Sequence, residues 1–323
     1  MDTRGRSENR CVVTLQDRAR PLPVSLQGLR SDQFVTPLGL RGVLYCRADA
    51  AGLPDRTAVA IGQFDGVHRG HQALLSRTRR AGPPDAAVGA VTFDQHPMSL
   101  LDPDREPPIL TRLEDKVCLL LTCRLDFVAV LRLEPALLGT GPVEFVNDLL
   151  VSTLKAAAVA VGPNFRFGRA AAGDPALLQQ LGPASGFVAA VPELARYGGA
   201  VVSSTAIRTA IVNGDVADAA RLLGRPHWLQ GFAVEVTLDC CRIAIPRNVA
   251  APSTGRFVGE LRVPVGLGRP LQAEVQVDVH GSRLDVRGHD DELLPLSPGD
   301  KVSLALARRL DAGADAVVGM EEQ

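Results

Sequence analysis

The chain has 323 residues, 46% of them hydrophobic and 22% charged, and carries a formal net charge of −1 from 35 Lys and Arg against 36 Asp and Glu. That describes an ordinary globular protein long enough for two domains, and the balanced charge excludes a general field for nucleic acid or an anionic membrane. The six cysteines form no Cys-x-x-Cys pair with a matching pair downstream, which excludes a zinc site and a disulfide framework.

In chain order, residues 1–40 are Arg-rich without clear periodicity and read as a poorly defined extension with no identifiable chemistry. The opening, MDTRGRSENRCVV, lacks the apolar core of a signal peptide. No apolar run of about 18 residues follows anywhere, so no membrane span is expected and the reading is cytoplasmic. From residue 56 the texture changes. TAVAI (57–61) reads as a buried strand closing at Gly62, 68–80 as a helix, 86–93 as a second strand and 111–123 as a helix. A strand at 126–131, a helix at 142–151, a strand at 157–162, a helix at 174–181 and a strand at 186–191 continue the alternation. Strands and helices alternating at this spacing imply a parallel sheet, with ligands at the carboxyl ends of its strands. Two short helices follow, one starting at Ser203–Thr205 and one over 215–224 with Asp215 as N-cap. Arg225–Pro226 marks a boundary. Beyond it, short runs of partial period-two alternation suggest a small antiparallel barrel or sandwich of about six strands. The fold class is therefore α/β: a Rossmann-like parallel sheet, then a small antiparallel β-barrel domain over 227–323.

Four stretches at strand-to-helix junctions could carry chemistry. In Gly62–His71 a strand enters a turn holding Gly62, Phe64, Asp65 and Gly66, and His68 and His71 sit three apart as a helix begins. That spacing puts both imidazoles on one helix face, beside backbone N–H groups that favour an anion. Glycines let the backbone approach a nucleotide closely. Thr92–Pro97 follows the second strand and brings His96 and Pro97. Gly162–Gly168 surrounds Asn164, Phe165, Arg166 and Phe167; the aromatics could stack on a ring or serve as core. Ser203, Ser204 and Thr205 start a helix and can cap it while holding phosphate oxygens, and Arg208 follows one turn on.

The string IGQFDGVHRGHQ at 61–72 closely resembles the amino-terminal motif of bacterial FAD synthetases, the bifunctional riboflavin kinase/FMN adenylyltransferases of the HxGH nucleotidyltransferase superfamily. TFDQHP (92–97), GPNFRFG (162–168) and SSTAIR (203–208) are similar to the family's later motifs, in the same order, and the resemblance runs from about residue 42 to 229. It implies a nucleotidyltransferase domain over 41–226 that transfers AMP from ATP to FMN, with Mg²⁺, releasing pyrophosphate. It implies that His68, His71 and Arg208 are catalytic, and that Gly62, Phe64, Gly66, Ser203, Ser204, Thr205 and Arg208 bind the nucleotide. Asn164, Phe165, His96 and Pro97 would meet the flavin. No residue is assigned as a direct metal ligand; Asp65 could act on the metal through water or simply fix the turn.

The resemblance fails in the second domain. The family's kinase module opens with a Gly-rich stretch and Pro-Thr-Ala-Asn. Here Gly231 is followed by FAVEVTLDCCRIAI, without glycine, and Arg247 stands roughly where the Thr would be. Asp278 is the nearest counterpart to the catalytic Glu. The expectation is a degenerate kinase-like barrel, kept as a structural cap, a regulatory surface or a contact in a homo-oligomer. The partners expected are small molecules, not nucleic acid or membrane. Three other readings stay open: a nucleotidyltransferase with another flavin-like acceptor, a non-catalytic flavin or nucleotide sensor and, least favoured, a bifunctional enzyme that keeps the kinase.

Overall fold

The computed structural model describes residues 29–47, 55–237, 239–264, 270–288, 294 and 296–310. Most of the amino-terminal extension, with Cys11, lies outside the described residues. The chain packs as two compact units. One holds residues up to Glu106 together with Thr111–Val201; the other holds Pro107–Leu110 and the chain from Val202 onward.

The first unit is built on a seven-stranded sheet. Its strands are β1 (Leu29–Val35), β2 (Arg41–Arg47), β3 (Thr57–Ile61), β4 (Ala87–Phe93), β5 (Phe127–Leu131), β6 (Ala156–Val161) and β7 (Val188–Ala190), in the order β1-β2-β5-β4-β3-β6-β7. β3 to β7 are mutually parallel, while β2 runs antiparallel to β5 and β1 antiparallel to β2. β3 and β5 are buried along their whole length, which explains their continuous apolar runs in place of alternation. Each face has its own core. Val59, Ile61, Val91 and Val161 point to one side with Phe145 and Leu149. Ala58, Ala60, Ala90 and Ala160 point to the other. These small residues admit helices α1 (Arg69–Ala81) and α3 (Leu113–Thr122), which supply Leu74, Leu75, Val117 and Leu120.

The expected strands and helices of this sheet are present with end shifts of a few residues, as hydrogen-bonded ends usually allow. The hairpin β1–β2 was not expected. β1 reads LRSDQFV and stays largely exposed, so it lacks the apolar run that marks a central strand.

The parallel strand order fixes where a ligand can sit. The chain builds β3, β4 and β5 to one side, then returns to add β6 on the other side of β3. The carboxyl end of β3 is therefore the topological switch point, where a crevice opens in such sheets.

The second unit holds α7 (Ser204–Asn213), α8 (Val216–Leu223) and a closed six-stranded antiparallel barrel. Its strands are β10 (Trp228–Val236), β11 (Cys241–Ala244), β12 (Thr254–Val263), β13 (Leu271–His280), β14 (Arg283–Gly288) and β15 (Lys301–Arg309), in the order β10-β11-β14-β13-β12-β15. Phe257, Val277, Leu284 and Leu304 fill it. The unit begins at Val202, ahead of the sequence boundary at 226. Ile207 and Ile211 of α7 share a core with Ala219 and Leu223 of α8 and with Leu110 and Ala250. Asp215 holds the N-cap position of α8, but its side chain makes no capping bond.

Candidate active site

Three of the four stretches follow three neighbouring strands, β4, β3 and β6, at their carboxyl ends. After β3 the backbone makes an unusual turn. Phe64, Gly66 and Val67 have φ of 51°, 84° and 39°. Positive φ is natural for glycine but costs on the order of 1–3 kcal/mol for the other two. The turn is held by a latch: the Thr111 N–H and hydroxyl both donate to Asp65 Oδ1, at 3.0 and 3.2 Å, and Gly66 N–H donates to Thr111 Oγ1 at 2.7 Å. Asp65 thus fixes the turn directly, the second of its two sequence readings.

The turn delivers His68 as the N-cap of α1. The His71 N–H donates to His68 Nδ1 at 3.2 Å, so in the neutral imidazole the proton of His68 sits on Nε2. The two rings stack with centroids 3.6 Å apart and planes 15° from parallel. Phe64 meets His71 edge-on at 5.1 Å. Phe64 is wholly buried, at 0% exposure, and its ring props His71 from the core side. Burial first, then the neighbouring His68 and Lys116, hold the His71 imidazole well below its ordinary range. It is neutral at pH 7 and offers an N–H. Its Nδ1 is buried with no hydrogen-bond partner among the described residues.

Beyond β4, Asp94 Oδ1 accepts from Leu133 N–H at 2.9 Å and Gln95 Nε2 donates to the Leu133 carbonyl at 3.1 Å. His96 Nδ1 accepts from Met98 N–H at 3.2 Å, and Pro97 precedes a short helix, α2 (Met98–Leu101). Sequence reasoning missed Lys116 of α3. Its ammonium is 6% exposed and donates to the Phe93 carbonyl at 2.8 Å and to Gln63 at 3.3 Å. The signal was available: a lysine inside the apolar helix string LEDKVCLLL.

Beyond β6, Asn164 is exposed and Phe165 partly so. Phe165 stacks on Phe167 at 5.6 Å, and Phe167 packs in the core against Phe145 at 5.5 Å. Phe167 is therefore core, and Phe165 lies on its surface. The fourth stretch belongs to the other unit. Ser203 caps α7, its Oγ accepting from Ala206 N–H at 3.2 Å. Thr205 is exposed, and Arg208 Nε donates to the Pro108 carbonyl at 2.6 Å.

In the barrel, Asp278 lies between guanidinium groups, with Arg287 at 2.6 Å and Arg256 at 3.2 Å. Where the Pro-Thr-Ala-Asn segment would fall, the Asn248 carbonyl accepts from Ile109 N–H at 2.7 Å. Cys46, Cys118 and Cys241 are buried free thiols, and burial pushes Cys118 and Cys241 up to about 11. Among the described residues no cluster of three or more His, Cys, Asp or Glu could hold a metal, and no helix is long and apolar enough to cross a membrane.

The family model described as FAD synthetase matches residues 51–206. The chain is 34% identical over 244 residues to a bifunctional riboflavin kinase/FMN adenylyltransferase of Escherichia coli (strain K12), covering 73% of this chain and 76% of that one. A protein of the same name from Pseudomonas fluorescens is 36% identical over 227 residues, 70% of each chain. The Bacillus subtilis (strain 168) protein of that name is 26% identical over 217 residues, covering 64% and 68%. Among solved structures, one titled macrolide-efflux protein, from Streptococcus pneumoniae, superposes with a TM-score of 0.70 over 82% of this chain and 90% of that one. At 20% identity that likeness shows the fold alone.

Proposed function

We propose that this chain, which belongs to the FAD synthetase family, transfers AMP from ATP to FMN and does not phosphorylate riboflavin. The observation that carries the transfer is the stacked pair His68–His71 at the start of α1, just past the switch-point end of β3. The relatives named bifunctional riboflavin kinase/FMN adenylyltransferase supply the substrate class.

The phosphate of FMN is ionised at neutral pH and attacks the α-phosphorus of ATP in line. A P–O bond forms to FMN, the α–β P–O bond breaks, and pyrophosphate leaves. Catalysis is then positioning and charge stabilisation. His68 donates from Nε2 and His71 from its own N–H to the α-phosphate, beside the first-turn amides of α1. Gly62 and Gly66 admit the nucleotide. Ser203, Ser204, Thr205 and Arg208 hold the departing pyrophosphate. Asn164, Phe165, His96 and Pro97 line the flavin side. All of these residues fall within 41–226, the span that the sequence assigns to nucleotidyl transfer.

Asp65 and Asp94 are engaged by backbone N–H groups. These residues fit Mg²⁺ held on the phosphates, where it would neutralise oxygen charge while keeping most of its waters.

Loss of the kinase activity is supported by Asp278, whose carboxylate is taken by two arginines. It is further supported by Arg247 in place of a metal-binding Thr and by the missing glycines after Gly231.

Purified protein with Mg²⁺ and ATP is incubated with FMN in one tube and riboflavin in another, and the flavins are separated. FAD from FMN with riboflavin unchanged is the expected result. FMN or FAD in the riboflavin tube overturns the kinase part. No turnover of FMN overturns the transfer and favours another acceptor or a sensor.

A further inference from the structure

Lys116 takes no part in the roles above, yet it is a buried ammonium at the same strand ends. It sits in the first turns of α3, 6% exposed. Phe93, whose carbonyl it holds at 2.8 Å, is the last residue of β4, and Gln63, at 3.3 Å, lies two residues beyond β3. These carbonyls open the loops that carry His96 and the His68–His71 pair. Thr92 Oγ1 donates to the same Gln63 carbonyl at 3.0 Å. The charged groups within electrostatic reach are the carboxylates of Asp65 and Asp94 and the imidazole of His71.

A purely structural tie between two carbonyls needs only neutral donors. Burying an ammonium carries a large desolvation cost, and here that charge is spent at the two strand ends from which the His68–His71 loop and the His96 loop depart.

We propose that Lys116 is a positioning residue for nucleotidyl transfer: its ammonium ties the β3 and β4 loops together, and with them the His68–His71 pair, in their working geometry. The inference rests on the transfer reaction proposed above. Burial lowers the Lys116 ammonium to about 8 against the pull of Asp65 and Asp94. Its charge is therefore present at pH 7 and lost in mildly alkaline solution, when both ties weaken together.

The test compares wild type, Lys116→Met and Lys116→Arg as full chains. Lys116→Met lowers kcat for FAD formation about 10- to 100-fold with the KM for FMN nearly unchanged, because the loops lose alignment and not their contacts to flavin. Wild-type kcat/KM for ATP falls above pH about 8, and in Lys116→Arg, charged at every pH, that limb disappears. A folded Lys116→Met enzyme with kcat within about twofold of wild type overturns the proposal. If thermal melting shows that the methionine variant does not fold, the arginine profile decides, and an alkaline limb unchanged from wild type overturns it. If wild type makes no FAD, the transfer reading falls by itself. The loop tie is then judged by NMR from the ring resonances of His68 and His71: their displacement in Lys116→Met supports the tie and unmoved resonances overturn it.

Discussion

Around the carboxyl ends of β3 and β4, the basic groups are covered: His68 and Lys116 are almost fully buried, and burial holds His71 neutral. On the outer face of the barrel they are many and partly exposed. Glu235, Arg242, Asp285, Asp278 and Arg256 lie opposite one another on successive strands and form a transverse row. In that row Arg242 pairs with Glu235 and Asp285, while Asp278 pairs with Arg256 and Arg287. Backbone strain divides the same way. All six described non-glycine residues with positive φ, Phe64 and Val67 among them, belong to the sheet's unit. In the barrel that conformation is left to glycines such as Gly255 and Gly281. Perturbed titration and strain together mark places where a fold gives up stability for chemistry. Partly exposed ion pairs contribute little to stability. The same residue types thus form a candidate site in one region and a solvated face in the other.

Four substitutions would break or sharpen this contrast. The largest effect is expected at His71→Asn, which removes a donor from the stacked pair. FAD formation should fall about 10²- to 10³-fold with the thermal unfolding midpoint little changed, as read by flavin chromatography and melting curves. Arg208→Ala should lower kcat/KM for ATP about 100-fold, since one charged grip on the leaving pyrophosphate is lost. Thr111→Val deletes the hydroxyl that bridges Gly66 and Asp65. It should cost about 1–3 kcal/mol in urea unfolding and slow transfer about tenfold as the turn relaxes. The smallest effect is expected in the barrel. Asp278→Asn breaks both arginine pairs, each worth about 0–1 kcal/mol, and should leave FAD formation unchanged. A loss of activity there comparable to that of His71→Asn would show that the barrel face is a site after all.

Local patterns were legible. The buried runs of β3 and β5, the helix α1 beginning at its two histidines, and Ser203 capping α7 all follow from spacing within a few residues. The six barrel strands were legible from their alternation. Other features were hidden because their meaning depends on neighbours distant in sequence. The core packing of Phe64 is one, because a positive φ in the turn after β3 is what sends its ring beneath His71. Lys116 drew no reading from the sequence, and only the fold shows that α3 lays it across the ends of two strands.

By itself the sequence determined the order of elements, the α/β sheet followed by a barrel, and the four strings that hold the candidate chemistry. Each rests on periodicity or on a few adjacent residues. Only the tertiary structure decided that β6 returns beside β3, that β1 and β2 extend the sheet, and that α7 and α8 pack into the barrel's unit. Periodicity reports which face of an element is apolar and says nothing about which other face will cover it.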